Sequence, residues 1–430
     1  MRVHLMGAGG AGVSALARVF VTRGDDVTGC DAKLSETTSD LEQLGVPIAL
    51  GHDPEHVLFC DLLVYSGAVK ESAELDAARA MGVRVVSRAE TLAELINSSN
   101  SIAVAGTAGK TTVTHMVGHI LTTAGYDPTV LVGDGASARA GRSDWLVAET
   151  DESDGTLTLH HPRRAIVTNI ELDHPDHFAD VAAVRELFQA FVAGLPTDGL
   201  AVLCADDELA RGLEPSASTV TYGFRDGSTY RCESARPFSV SHRGAELGRI
   251  NLKQPGLHNI QNATGAAALA LELGIAFADV AAALATFPGA HRRMEFLGPY
   301  HGAAVYDDYA HHPTKIRAAL QAARELRHRR LIVVFQPHRY SRLAALMHDF
   351  ARAFAAADKV LVLDVYGAGE DNVSGVQASD LAHQIPGATY VGDFVRAKEA
   401  LDELVGPDDL VLLMGAGDVN RLGDELANKI

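Results

Sequence analysis

Ile102-Ala103-Val104-Ala105-Gly106-Thr107-Ala108-Gly109-Lys110-Thr111-Thr112 is an apolar run that breaks into glycines and then opens a helical pattern on Lys-Thr-Thr. A strand, a glycine turn and a helix start of this kind form the arrangement that cradles nucleotide phosphates. Glycines let backbone N–H groups turn inward, a lysine brings a point charge to the β- and γ-phosphates, and the next hydroxyl is placed to ligate Mg²⁺. Gly106, Thr107, Gly109, Lys110, Thr111 and Thr112 are therefore read as nucleotide-binding, with Thr111 on the metal. The loop is shorter than the strict G-x-x-x-x-G-K-[ST] pattern, because Val104 stands where the first glycine belongs. A strand-to-helix turn with incidental glycines is the rival reading.

At 430 residues the chain exceeds what one hydrophobic core serves, so two or three domains are expected. Its 47% hydrophobic and 21% charged residues are those of an ordinary soluble globular protein. A formal charge of −18 argues against general binding to nucleic acid or to an anionic membrane, so an anionic substrate needs local Arg, Lys or metal. Met1-Arg2-Val3-His4-Leu5 enters a strand without a signal-peptide apolar core, and the Ala-rich stretch 266–287 is broken by Glu272, Gly274 and Asp279. Cys30, Cys60, Cys204 and Cys232 are isolated, which fits a reducing cytoplasm and predicts no thiol-based metal site.

Residues 1–97 alternate strands and helices. Val3 to Met6 leads into Gly7-Ala8-Gly9-Gly10-Ala11-Gly12, a helical pattern follows, and Asp31 closes the run Val27-Thr28-Gly29-Cys30. This satisfies the dinucleotide fingerprint, yet any nucleotide diphosphate suits the same helix start and Asp31 can accept from any ribose hydroxyl. Gly9, Gly10 and Asp31 are thus candidate ligand residues, joined by Ser66 and Arg88 after the strands Leu62–Tyr65 and Val83–Val86.

The second segment, 98–293, begins with the phosphate loop. The strand Leu146-Val147-Ala148 ends in Glu149-Thr150-Asp151-Glu152-Ser153-Asp154, where a carboxylate beside a phosphate loop can hold the nucleotide's Mg²⁺; Glu149 is the candidate. Ala165 to Thr168 runs into Asn169-Ile170-Glu171-Leu172-Asp173-His174, and His174 is read as a second-cation ligand or phosphate-orienting group; zinc on His174 and His177 is the rival. Gly256-Leu257-His258-Asn259-Ile260-Gln261-Asn262, expected just before an Ala-rich helix, offers amides for an adenine ring or merely a helix cap. The third segment, 294–430, alternates again. Leu331–Phe335, Val360–Leu363 and Leu410–Met414 are expected as buried parallel strands, with polar clusters after strand ends at 307–313, 336–342 and 415–418. The fold class is α/β in three domains: N-terminal Rossmann-like, central P-loop ATPase-like and C-terminal Rossmann-like.

Taken in order, GAGGAG at Gly7, AGTAGKTT at Ala105, AETDESD at Ala148, TNIELDH at Thr168, GLHNIQNA at Gly256, RRMEFLG at Arg292, DDYAHHPT at Asp307, QPHRYSR at Gln336 and GAGD at Gly415 make the chain resemble the Mur ligase family. The resemblance covers nearly the whole length. It departs from the usual family pattern at Ala108, where His is common, and at Ala310, where Gly is common.

The resemblance implies domains for a UDP-sugar (1–97), for ATP (98–293) and for an amino acid (294–430). Within the family it is closest to the member that joins L-alanine to the lactyl carboxylate of UDP-N-acetylmuramate through an acyl phosphate, with ATP and Mg²⁺, in cytoplasmic peptidoglycan precursor synthesis. On that basis Lys110 acts on the transferring phosphoryl, Thr111, Glu149 and His174 hold metal, and Asn259, Asn262, Arg293 and Asp308 hold ATP. His338, Arg339 and Arg342, with Tyr309 and His312, receive the alanine and the sugar-side carboxylate. A monomer or weak homodimer is expected, with no nucleic-acid or membrane partner, and with domain closure before chemistry. The rivals are a related ligase that attaches a preformed peptide to the same sugar, an NAD-dependent oxidoreductase built on Gly7 to Asp31, and a non-catalytic nucleotide-binding regulator.

Overall fold

Three separate sheets take up the apolar runs in the computed structural model, which describes residues 1–69, 71–133, 138–152, 155–173 and 177–427. The first contains β1 (Arg2–Met6), β2 (Asp26–Asp31), β3 (Ile48–Leu50), β4 (Leu62–Tyr65) and β5 (Arg84–Ser87). They run parallel in the order β3-β2-β1-β4-β5, so the strand order reverses between β1 and β4 and a crevice opens at their carboxyl ends. Strand alternation sends Val3 and Leu5 toward a core with Leu16, Leu92 and Ile96, and Met6, Cys30 and Leu63 toward another with Val57, Leu75 and Ala78.

The helices of this sheet are α1 (Ala11–Thr22), α2 (Glu36–Gln43), α3 (Ala73–Ala80) and α4 (Arg88–Ser98). Serines cap three of them: Ser35 on α2, Ser72 on α3 and Ser87 on α4 each accept a backbone N–H. Before α1 stands Gly10, which supplies no side-chain cap.

The second sheet contains β6 (Asn100–Ala105), β7 (Thr129–Leu131), β8 (Trp145–Glu149), β9 (Arg164–Val167), β10 (Leu200–Cys204), β11 (Ser218–Gly223), β12 (Tyr230–Cys232), β13 (Phe238–His242) and β14 (Ala245–Ile250). From β7 through β8, β6, β9, β10 and β11 to β12 the pairing is parallel; β13 and β14 add an antiparallel edge. That edge carries no long apolar run, since β14 is exposed over most of its length. Around the sheet are α5 (Lys110–Thr123), α6 (Val181–Ala193), α7 (Glu208–Arg211), α8 (Leu257–Glu272) and α9 (Phe277–Thr286). One expectation is corrected here. The run Gly256 to Asn262 does not precede the Ala-rich helix but forms its start, because Gly256, at φ 96°, turns the loop and α8 begins at Leu257.

The third sheet contains β15 (Glu295–Tyr300), β16 (Ala303–Asp308), β17 (Leu331–Phe335), β18 (Lys359–Leu363), β19 (Thr389–Gly392) and β20 (Leu410–Met414), in the order β15-β16-β20-β17-β18-β19. All its pairs are parallel except the β15–β16 hairpin. Its helices are α10 (Pro313–Glu325), α11 (Tyr340–Ala353), α12 (Ala378–Gln384), α13 (Phe394–Leu404) and α14 (Asn420–Leu426). Two compact units result. One comprises Met1–Glu171, Ala182–Asn251 and Gln261–Phe287, the other Leu172–Val181, Leu252–Ile260 and Pro288–Ile430. Among the described residues no helix is long and apolar enough to cross a membrane.

Candidate active site

In the first unit, the loop between β6 and α5 is held open by two glycines in conformations that L side chains rarely adopt: Gly106 at φ 135° and Gly109 at φ 90°. Gly109 caps α5 without a side chain, so the helix start keeps the donor character that anions use. The loop's shape is fixed from the segment after β9. Asn169 accepts the Ala108 N–H (2.8 Å) and donates to the Ala108 carbonyl (2.9 Å), and Thr168 donates to the same carbonyl (2.7 Å). Thr107 Oγ1 accepts from the Glu171 N–H (2.9 Å). Asn262, on α8, lies against the loop, since a Cβ on Gly109 would come within 2.7 Å of its Oδ1.

Thr111 and Glu149 come together as expected of two ligands for one hard cation: the Thr111 hydroxyl lies 3.0 Å from Glu149 Oε2, which also accepts the Gly133 N–H at 3.0 Å. Lys110 Nζ donates to Glu152 Oε2 at 2.6 Å and has Asp151 at 3.6 Å. Burial opposes its charge, but Glu152, Asp151 and Glu149 outweigh that and hold the ammonium well above its usual range. Glu152 is a partner that motif reading did not single out. The signal for it was the density of acids after β8, which need a cation nearby. Thr112 is buried in the first turn of α5. His174 lies outside the described residues.

Also in this unit, the first glycine loop turns at Gly7, at φ 80°, close under Ser66. Asp31 does not stand free at its strand end: Oδ2 accepts the Gly9 N–H (2.8 Å) and Oδ1 the Lys33 N–H (3.0 Å), so the carboxylate clips the loop in place. The Arg88 side chain lies over Gly12 at the start of α1. An open crevice runs from Gly12 and Arg88 past Leu16 and Val132 to Gly133 and Glu149. It joins the N-terminus of α1 to the carboxylate beside Thr111.

In the second unit, the loops after β16, β17 and β20 gather at their adjacent carboxyl ends, bonded through Gln336 N–H to Met414 O and Gly415 N–H to Asp308 O. Asp308 is 7% exposed and accepts from Met294 N–H and Ala310 N–H, both at 2.9 Å. Burial pushes its carboxyl up to about 6 against the pull of Arg293. Arg292 and Arg293 both lie over the Tyr309 ring, at 5.2 and 5.0 Å. Asn259 Nδ2 is engaged by the Pro255 carbonyl at 2.7 Å.

Arg342 is 3% exposed and its guanidinium already meets a carboxylate of this chain, Asp173 Oδ1 at 3.1 Å; Lys315 reaches the other oxygen at 3.2 Å. Two cations on one acid leave a local positive excess. His338 and His312 stay neutral at pH 7: burial, with Arg342 and Arg339 nearby, brings His338 down to about 4, and burial does the same to His312 despite Asp173. His338 stacks on Tyr366 at 5.6 Å, and His312 caps α10 through Thr314 N–H. Arg339 stands at φ 69°, a left-handed conformation that is costly for a side-chain residue, and contacts Glu370 at 3.4 Å from a half-exposed position.

Cys30, isolated in the sequence, has other donor side chains close by in space. Spacing along the chain separates Cys30 from any other donor, but parallel pairing of β1 with β2 brings it near His4, and the segment 54–57 and α3 add His56 and Glu74. The H-x₃-H spacing of His52 and His56 was the one sequence signal for this cluster.

Three family profiles match in chain order: the Mur ligase family catalytic domain over residues 2–100, the Mur ligase middle domain over 104–270 and the Mur ligase glutamate ligase domain over 292–417. The chain is 41% identical over 444 residues to the UDP-N-acetylmuramate–L-alanine ligase of Desulfosudis oleivorans, covering 99% of this chain and 97% of that protein. It is 42% identical over 447 residues to the protein of the same name from Rubrobacter xylanophilus, with 100% of both covered. Among solved structures, the UDP-N-acetylmuramate-alanine ligase of Thermotoga maritima superposes with a TM-score of 0.82 at 30% identity, covering 100% of this chain and 99% of that one. A murein peptide ligase of Psychrobacter arcticus gives 0.73 at 27% identity, covering 100% and 98%.

Proposed function

The chain belongs to the Mur ligase family, and from that premise we propose that it is the enzyme that joins L-alanine to the lactyl carboxylate of UDP-N-acetylmuramate, with ATP as activating reagent. A free carboxylate resists an amine, because its carbonyl is electron-rich and would have to expel oxide. Attack of the lactyl oxygen on the γ-phosphorus of ATP gives an acyl phosphate and ADP. The neutral amine of L-alanine then adds to the acyl carbon, and the tetrahedral adduct expels phosphate to leave the amide.

The observation that carries this reading is the crevice from Gly12 and Arg88 to Glu149. The open start of α1, with Gly9, Gly10 and Arg88, takes the sugar nucleotide's diphosphate, and Ser66 and Asp31 keep the loop in shape. A lactyl carboxylate carried along that crevice arrives beside the phosphate loop. There Gly106, Thr107, Gly109 and Thr112 shape the cradle and Lys110 meets the β- and γ-phosphates, exchanging Glu152 for phosphate oxygens. The paired oxygens of Thr111 and Glu149 suit Mg²⁺, which when bound offsets charge on the nucleotide's phosphates.

In the second unit, Arg339 receives the alanine carboxylate, because its pairing with Glu370 is long and half-exposed whereas Arg342 is buried on Asp173. Arg342 thereby acts through Asp173 and His338 rather than on the substrate. The neutral rings of His338 and His312 offer nitrogen acceptors without repelling an ammonium group. Arg293 and Asp308, with Asn259 and Asn262 on α8, are assigned to ATP, and His174 to a second cation or the acyl phosphate.

The test is phosphate release from ATP with UDP-N-acetylmuramate and one acceptor at a time. Release that requires L-alanine supports the proposal. Release only with a preformed peptide replaces it with the peptide-ligase reading, and release with neither acceptor removes it.

A further inference from the structure

We propose that His4, Cys30, His56 and Glu74 form a binding site for one divalent transition-metal ion of the zinc class, built beneath the glycine loop of the first sheet. One donor atom from each lies within 4.8 Å of every other. His4 Nε2 is 2.8 Å and His56 Nδ1 3.4 Å from Glu74 Oε1, and Cys30 Sγ is 3.4 Å from Glu74 Oε2. With metal–ligand bonds of about 2.0 to 2.3 Å, neighbouring donors of a tetrahedron stand roughly 3.3 to 3.7 Å apart. The donors thus span separations from 2.8 Å to at most 4.8 Å, a range that brackets a tetrahedral edge and that small side-chain shifts around an ion would even out.

The fold builds this site rather than scattering it on a surface. Cys30 and Glu74 are fully buried and His4 is 2% exposed. His4 Nε2 and His56 Nδ1 are buried atoms that both face Glu74 Oε1, so both nitrogens point into the cluster. His4 is also oriented from behind. It pairs across the strands with Thr28, whose Oγ1 lies 2.8 Å from Nδ1 and fixes the ring with Nε2 inward. That is the outer contact by which metal-binding imidazoles are usually held.

Donor chemistry chooses the ion. One thiolate, one carboxylate and two neutral imidazoles sum to −2, so a divalent cation neutralises a buried group of charges. The N/S/O mixture favours zinc over Mg²⁺, whose oxygen donors stand apart at Thr111 and Glu149. His52 Nδ1, 3.2 Å from Cys30 Sγ and 26% exposed, supplies a further nitrogen on the solvent side by which an ion can enter.

The site connects to the glycine loop through Cys30 itself. Its carbonyl accepts the N–H groups of Gly7 (2.9 Å) and Ala8 (3.0 Å), and its neighbour Asp31 holds Gly9. A metal on the thiolate would brace the loop without touching the substrate.

The full chain, untagged, is incubated with zinc sulfate, desalted and assayed for metal. About one zinc per chain is expected, with Cys30→Ser and Glu74→Gln at background and Cys60→Ser, at a half-buried thiol outside the cluster, unchanged. Cobalt(II) should give a thiolate charge-transfer band that Cys30→Ser abolishes. Thr28→Val should keep the fold and weaken zinc about 10- to 100-fold. His56→Ala, on the more open side of the cluster, serves if Cys30→Ser fails to fold. Zinc that the wild type does not retain, or retains equally in Cys30→Ser and His56→Ala, overturns the proposal and leaves a buried hydrogen-bonded network.

Discussion

Lys110 is buried between three acids, so its ammonium is charged and aimed before any nucleotide arrives. Lys110→Ala should lower kcat/KM about 10³-fold or more in the phosphate-release assay, since it removes the point charge that stabilises the transferring phosphoryl. The melting temperature should change little, because Glu152, pushed up by burial, can take a proton once its partner is gone. Ala108 brings no polar side chain to the loop, whose shape Asn169 and Thr168 fix by binding its backbone N–H and carbonyl. Asn169→Ala should therefore raise the KM for ATP about tenfold, the equivalent of one net hydrogen bond, with a smaller change in kcat. Gly109→Ala meets two obstacles: a left-handed φ of 90°, costing about 1 kcal/mol, and Asn262 Oδ1 at 2.7 Å. A lowered melting temperature together with weaker ATP binding is the expected result.

Among the elements, α1 and α5 differ from α2, α3 and α4 in one respect: glycines stand at their N-termini, where serines cap the others. Helix starts left without a side-chain cap invite anions, and these two follow the two glycine loops. At α10 and α11 the chemistry is different. His312 caps α10, and His338 lies just before α11, both neutral at physiological pH. Their unfolded value is near 6.5, so between pH 6.5 and 4 the unfolded chain binds more protons and stability falls as pH falls. His311, also depressed by burial and by Lys315 and Arg342, adds in the same direction. Asp308 opposes them, as do Asp307, Asp207 and Glu152, since a raised carboxyl binds its proton first in the folded state, but the unfolded histidines begin to take protons near pH 6.5, above the value of about 6 for Asp308. The melting temperature should drop between pH 7 and pH 5, and His312→Asn, which keeps a capping side chain, should flatten that slope.

For the whole molecule, the crevice within the first unit predicts two separable ligand responses. UDP-N-acetylmuramate at about 100 times its Kd should stabilise the chain by about 2.7 kcal/mol, and MgATP likewise. Lys110→Ala should abolish the ATP shift and keep the sugar-nucleotide shift, as read by thermal denaturation; loss of both would mean that the two loops do not act independently. Both glycine loops, the strands β1, β4, β6, β17 and β20 and the Thr111–Glu149 pair were legible in the sequence. Apolar runs that end in glycine or clustered polar residues have few other solutions, and Thr111 follows β6 while Glu149 closes β8, its neighbour in the same sheet. What the chain could not announce were the partners that come from elsewhere in the sequence: Glu152 on Lys110, Asp173 on Arg342, Asn169 around Ala108. Side chains distant in sequence meet only after strand order and loop path are set, and that meeting buries Arg342 on Asp173 while Arg339 stays more exposed beside Glu370. Cys30 is the plainest case. As one of four isolated cysteines it promised nothing, and the fold places it against His4 of the neighbouring strand β1, Glu74 of α3 and His56, because side-chain clusters depend on distance through space and the sequence by itself states only distance along the chain.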